Sequence, residues 1–347
     1  MKAVTLQDLA DTLGVSRSTA SRALRDDPQI SPDTRRYVRR LARDLGYHPN
    51  AAARALTRRN SGVVGVVLPR SATFVFANPY FATLLEGVAT VAEDAGLPIL
   101  FSASPAPDYE RWLREGRVDG LIALGYSLHL LDLERLEALA GGSAAIALVG
   151  PPPRATVLPT VAVDEAPGIA AACDRLAHAG HRALALVTGP VNAVYARVRA
   201  DLWRAGAETS GMAIVDTVHG DDTQPGGAAA ARRLLERDPV PDAWIFGNDA
   251  MAFGALGALE VAGVRVPTDV AVVGFDDVPP AALVGLSTVH QPIRALGEHA
   301  MRLVVAALRG EPAPEHAFTT HVEERRTTRA APRAPDGSHR SAMEGTT

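Results

Sequence analysis

Residues 4–24 read VTLQDLADTLGVSRSTASRAL, a stretch that encodes two short helices and the tight turn between them. Thr5 offers a hydroxyl N-cap, and Asp8, three positions on, stands in capping-box register. Leu6, Leu9, Ala10 and Leu13 then recur at helical spacing as far as Gly14. Val15 and Ser16 restart the chain, with Ser16 as N-cap and Ala20, Ala23 and Leu24 on the inner face of the second helix. Ala10 and Ala20 are small where the two helices must cross, and Gly14 admits the turn, so the pattern predicts a helix-turn-helix. Ser31-Pro32-Asp33 announces a third helix with an N-cap, a proline at its first position and an early acid. Val38, Leu41 and Leu45 form its buried stripe, and Gly46 ends it.

In such a unit the second helix lies in the DNA major groove and offers its exposed N-terminal side chains to base edges. Those side chains are Arg17, Ser18 and Arg22; arginine can grip guanine with two parallel hydrogen bonds, whereas serine is a more permissive reader. Thr5, Ser16, Ser21 and Ser31 suit phosphate oxygens, which position a module without reading sequence. Charge points the same way. The whole chain carries a net −4, but residues 1–60 hold 12 Lys+Arg against 6 Asp, a basic head on a body of net −10.

The composition is 47% hydrophobic and 21% charged over 347 residues, which suits a small module followed by one or two larger globular cores. No apolar run approaches a membrane span and the N-terminus carries no hydrophobic signal core, so a cytoplasmic protein is expected. The lone Cys173 rules out an internal disulfide framework and aligns with Ile169 and Leu176 as a core residue. After the third helix, Asn50 caps a short alanine-rich segment that ends in Arg58 and Arg59 and is too short to be stable alone. Its Leu56 could pack against a dimer partner or wedge between base pairs in the minor groove.

Together, Val4 to Ala10, Gly14-Val15-Ser16, Ser21-Arg22, Ser31 to Arg35 and Leu45 to Asn50 closely resemble the lactose-repressor (LacI) family. The resemblance implies that residues 50–57 are a hinge helix that folds when two protomers sit on operator DNA. Ala53 and Leu56 occupy the matching minor-groove positions, and the leucine pries open a central base step of a palindrome.

From Gly62 short apolar strands alternate with helices. Val63 to Leu68, Pro98 to Ser102, Gly120 to Leu124 and Ala144 to Val149 form one series; Ala183 to Thr188, Ala243 to Phe246 and Val270 to Phe275 form another. Continuous apolar strands between helices indicate parallel sheets covered on both faces, hence two α/β lobes. The expected fold is therefore an all-α helix-turn-helix module with a hinge helix, followed by a two-lobed α/β core with parallel sheets. The resemblance implies that this core is periplasmic-binding-protein-like. The expected division is 1–49 for the DNA-binding module, 50–60 for the hinge and linker, and 61–330 for the core. The resemblance implies that lobe 1 takes about 61–161 and 292–320 and lobe 2 about 162–290 and 321–330; a tail rich in Pro, Arg, Ser and Gly, 331–347, is expected to be disordered.

Ligands in such folds sit at the carboxyl ends of the strands. Phe74, Phe76, Tyr80 and Phe81 crowd just after the first strand, and the segment Asn78 to Phe81 resembles one whose aromatics face the ligand. The resemblance further implies effector contacts at Arg199, at Asn248 of an Asn248-Asp249 pair, and at Asp276; read from the sequence alone, Asn248 is also a plausible helix cap. The chain departs from the family where Ala193 and Tyr195 replace polar ligand contacts, and where the strands ending at Gly125 and Gly150 lack the acid or amide of some sugar-responsive members. These departures weigh against a simple disaccharide, with Tyr195 itself a candidate contact. Nucleophile elbow, Walker loop, HExxH and cysteine cluster are all missing, so no enzyme, metal or cofactor is expected. His178 and His181 have metal-ligand spacing but read as structural, and adjacent Asp276 and Asp277 make a poor acid/base pair because they face opposite ways on a strand. The resemblance implies dimers, which in some members a C-terminal leucine heptad joins into tetramers; the tail here carries no such repeat, so a homodimer is expected. The competing readings are a solute-binding protein, which the basic head disfavours, and more remotely a sugar-acting enzyme.

Overall fold

The structure, a computed structural model, describes residues 4–24, 26–47, 61–68, 70–124, 132–142 and 144–328. It divides into two compact units, 1–61 and 62–347. In the first, helices α1 (Leu6–Leu13), α2 (Arg17–Leu24) and α3 (Pro32–Asp44) enclose a small core of Leu9, Ala23, Val38 and Ala42, with Leu41 and Leu45 packed at its margin. Thr5 accepts from the Asp8 backbone N–H, and the Asp8 carboxylate takes the Thr5 N–H at 2.8 Å, closing the capping box. Gly14 adopts φ +65°, a left-handed conformation that would strain any side chain although nothing stands near it.

The second unit opens with β1 (Val64–Leu68), α4 (Ala72–Ala77), α5 (Pro79–Asp94), β2 (Ile99–Ala103), α6 (Tyr109–Arg114), β3 (Gly120–Leu124), α7 (Leu133–Gly141), β4 (Ala145–Val149) and β5 (Thr160–Val161). Their strands form a five-stranded parallel sheet in the order β2-β1-β3-β4-β5. Alternate side chains feed two cores. Val64, Val66 and Leu68 pack on one face with Ile122 and Val149, while Val67, Leu121 and Leu148 pack on the other.

After β6 (Val163–Asp164) come α8 (Ala166–His178), β7 (Ala183–Thr188), α9 (Val194–Thr209), β8 (Ala213–His219), α10 (Gln224–Leu235), β9 (Ala243–Phe246), α11 (Asp249–Val261), β10 (Ala271–Asp276), α12 (Pro279–Val284) and β11 (Ser287–His290). The chain closes with α13 (Ile293–Arg309), β12 (Phe318–Thr319) and β13 (His321–Glu323). The second sheet runs β13-β11-β10-β9-β7-β8, parallel except for β13. Cys173 is buried in its core beside Ile169 and Leu176, and burial pushes its thiol up to about 12.

Three segments carry the chain between the two lobes. Val161 leads to β6, β11 leads to α13, which packs in the first core, and Phe318 in the first core is followed by Val322 against the second. Two of these segments are joined: β12 and β6 pair as a parallel ribbon, and the Thr320 hydroxyl accepts from the Gly168 N–H at 2.9 Å while lying 3.1 Å from both the Asp164 and Glu165 carbonyls. In the first lobe α13 crosses α5 so closely that a Cβ on Gly297 would stand 2.1 Å from the Leu84 carbonyl oxygen, and one on Gly87 2.0 Å from that of Arg294.

Of the strands not read from the sequence, β8 and β11 lead into the residues described below. Strand β8 alternates between exposed and half-buried residues at the sheet edge, so it lacks the continuous apolar run that marks a central strand. Strand β11 is buried through polar side chains, the Thr288 hydroxyl donating to Asp249 at 2.6 Å and Ser287 joined to Thr327 and Thr328.

Candidate functional site: a reading helix and an interlobe cavity

On α2, Arg17 and Ser18 are exposed. Arg22 is half-buried: its Nε donates to Asp27 at 2.9 Å and its Nη2 to Gln29. These two acceptors lie in the turn after α2 and hold the guanidinium against its own module. The candidate phosphate hydroxyls have a structural task as well. Ser16 accepts from the Thr19 N–H at 3.1 Å, Ser31 from the Thr34 N–H at 3.2 Å, and Thr5 belongs to the capping box; Ser21 is half-buried. Ala53 and Leu56 lie outside the described residues, as does the tail from 331.

The second site is a cavity between the lobes with about 540 Å³ of empty space, its open mouth included. Phe74, Tyr80, Phe81, Tyr195, Arg199, Asn248 and Asp276, separated by as many as 202 positions in sequence, all line it. Phe81 meets Phe74 edge-on at 5.8 Å and Tyr80 at 5.4 Å, forming an aromatic wall from the first lobe. Phe76 belongs elsewhere: it is 74% exposed and leans toward Phe101.

The second lobe supplies the polar side. Arg199 is buried and engaged within the protein: Nε and Nη2 reach both oxygens of Glu165 at 2.8 and 2.6 Å, Nη1 reaches the Gly247 carbonyl at 2.7 Å, and the guanidinium lies 3.5 Å above the Phe275 ring. Asn248 caps α11, its Oδ1 accepting from the Met251 N–H at 2.9 Å, and the residue also lines the cavity. Its neighbour Asp249 turns away, fully buried beneath β11, and accepts from Thr288 and from the Val278 N–H. Asp276 and Asp277 also diverge. Asp276 takes the Gln291 amide at 2.6 Å, whereas Asp277 faces His290 and Arg325; both sit at positive φ, +117° and +58°, a strain placed at the rim of the cavity.

Sequence reasoning missed four groups. Asp222, beyond the unrecognised β8, accepts from the Tyr195 hydroxyl. Gln291, beyond the unrecognised β11, is 2% exposed, and its Oε1 accepts no hydrogen bond from the described residues. Arg70 lies just after β1 and reaches over Phe74 at 4.9 Å; its signal was a cation two positions past a strand end. Glu165 was legible only as a helix-start acid. Burial raises the Asp222 carboxyl, with Tyr195 and Arg70 opposing; burial likewise raises Asp276 to about 7, with Arg199 and Gln291 opposing and Asp222 and Glu165 adding repulsion. Among the described residues no group of three or more His, Cys, Asp or Glu is placed to hold a metal ion, and no helix is long and apolar enough to cross a membrane.

A helical DNA-reading module followed by a cavity at the carboxyl ends of parallel strands defines a ligand-binding regulator. Comparison with known proteins gives the family. The pattern of the lacI family of bacterial regulatory proteins matches residues 5–50, and that of the periplasmic binding protein-like domain matches residues 173–328. The HTH-type transcriptional regulator CelR of Thermobifida fusca is 34% identical over 322 residues, covering 88% of this chain and 92% of the relative. The ribose operon repressor of Escherichia coli (strain K12) is 31% identical over 324 residues, covering 87% and 92%. Among solved structures, the lac repressor dimer bound to operator and the anti-inducer ONPF is similar with a TM-score of 0.81 at 26% identity, covering 95% of this chain and all of that one. The CelR–cellobiose complex is similar with a TM-score of 0.68 at 31% identity, covering 93% and 99%. The chain belongs to the lacI family of bacterial regulatory proteins: it is a DNA-binding transcription regulator with a periplasmic-binding-protein-like effector domain, not an enzyme.

Proposed function

We propose that the protein is a cytoplasmic repressor that binds a palindromic operator as a homodimer and is controlled by a small polar effector, a sugar or related metabolite, held between its lobes. The observation that carries this reading is the convergence of seven separately identified side chains on one cavity at the strand ends. Relatives support the partners, since the lac repressor structure is a dimer on operator and CelR was solved with cellobiose. In this reading Arg17, Ser18 and Arg22 read bases, and Thr5, Ser16, Ser21 and Ser31 line the phosphate-facing side. Ala53 and Leu56 of a hinge at 50–60 enter the minor groove, and residues 61–330 bind effector and partner. Closure of the lobes on the effector then alters the separation of the two hinges, and the effector changes operator affinity only by its differential affinity for the two lobe arrangements. A gel shift of the full chain on fragments of its own genome, with and without a panel of sugars, tests it. Retention of one palindromic fragment and its release or tightening by a panel member is expected; no retention of any fragment at low salt would overturn it.

A further inference from the structure

With every acid counted as ionised, the charges of the described residues at the cavity do not balance, and the excess is negative. Arg199 is neutralised by the two-pronged Glu165 pair, leaving Arg70 against the buried carboxylates of Asp222 and Asp276. The hydrogen-bond partners of those two acids are neutral, the Tyr195 hydroxyl and, at 3.4 Å, the Asn248 amide for Asp222, and the Gln291 amide for Asp276. A third acceptor, the Gln291 Oε1, is buried in the same lining without a donor from the described residues. We infer that the effector carries a protonated amine, received by Asp222, Asp276 and the Gln291 Oε1 beneath the Phe74–Tyr80–Phe81 wall. This rests on the reading of the cavity as the effector site and names the chemical class it takes: a small amino-bearing polyol, such as an amino sugar.

The match is one of chemistry as well as charge. An ammonium has three N–H donors and no acceptor, and a carboxylate has about four lone-pair sites, so two carboxylates and an amide oxygen offer it more acceptors than a hydroxyl, donating one proton, can use. Hydrogen bonds between an ammonium and a carboxylate are about twice as strong as neutral ones, and the aromatic faces add cation–π attraction. Burial already presses the Asp276 carboxyl toward its neutral form, and a cation beside it restores the ionised one. An anionic effector would meet two buried carboxylates, with Arg199 already held by Glu165 and Arg70 the remaining cation among the described lining residues.

The test compares isosteric pairs on the full chain by calorimetry and thermal shift: glucosamine with glucose, galactosamine with galactose, glucamine with sorbitol, and glucuronate as the anion. The amine member of at least one pair should bind about ten-fold more tightly than its hydroxyl partner, with glucuronate weakest. Asp276→Asn and Asp222→Asn should each abolish that preference. The inference is overturned if no amine binds, if the hydroxyl member binds equally or better in every pair, or if either variant, folded by its own melting transition, keeps the preference. Should neither variant fold, the wild-type pairs decide alone. Operator retention by the wild-type chain is measured in parallel, so that failure of the amine preference with retention intact removes this inference and leaves the regulator reading standing.

Discussion

At the scale of single residues, the same side chain often stabilises the fold and serves the site. Arg22 is tied to Asp27 and Gln29, which limits its rotamers, so in the proposed operator complex it would lose less entropy on meeting a base. Replacing Arg22 with Ala should flatten discrimination at one base pair of each half-site by about 1–3 kcal/mol, measured by gel shift on operator variants; unchanged discrimination would remove it from the reading set. Asp276 gives a prediction about pH. Its folded carboxyl stands near 7 against an ordinary 3.8, so the folded chain holds a proton that the unfolded chain releases earlier. That contribution to stability is complete at low pH, below the ordinary value, and is lost as pH rises through about 7; Asp222 and Asp249 are shifted in the same direction. Denaturant titrations of the ligand-free chain from about pH 5 to about pH 8 should show falling stability, and Asp276→Asn should reduce the slope.

At the scale of elements, glycine marks where helices touch. Gly297→Ala would drive a methyl group into the Leu84 carbonyl and should destabilise the chain by about 1–3 kcal/mol in denaturant unfolding. Gly257→Ala, on α11 with nothing within 4 Å of the added atom, should stabilise it by up to about 1 kcal/mol. An equal midpoint for both would show that the α5–α13 crossing opens without cost. The elements also explain what the sequence discloses. Strands buried on both faces, such as β1 and β10, announce themselves as apolar runs, and the residues at their ends were therefore legible as cavity residues. Strand β8 keeps one face in solvent, and β11 is buried through hydrogen bonds formed with residues up to 41 positions away, so neither leaves a local apolar signature. Asp222 and Gln291 were hidden with them. The Glu165–Arg199 pair was hidden for a related reason: it spans 34 positions and exists only once α8 and α9 lie side by side.

At the scale of the whole molecule, the proposed control depends on how the lobes move. If Leu56 acts as a minor-groove wedge in the proposed dimer, Leu56→Ala should leave the effector's affinity for the free chain unchanged while abolishing operator bending. Calorimetry and a circular-permutation gel assay would measure the two, and a wild-type bend angle would refute the wedge. The connecting segments restrict which lobe motions are available. Because β6 and β12 are hydrogen-bonded to each other and stapled at Thr320, two of the three straps behave as one ribbon rather than as independent threads. A ribbon resists bending in its own plane far more than it resists torsion. The paired straps therefore share one bending plane, and removing the Thr320 hydroxyl would release the Gly168 N–H and let each strap yield separately.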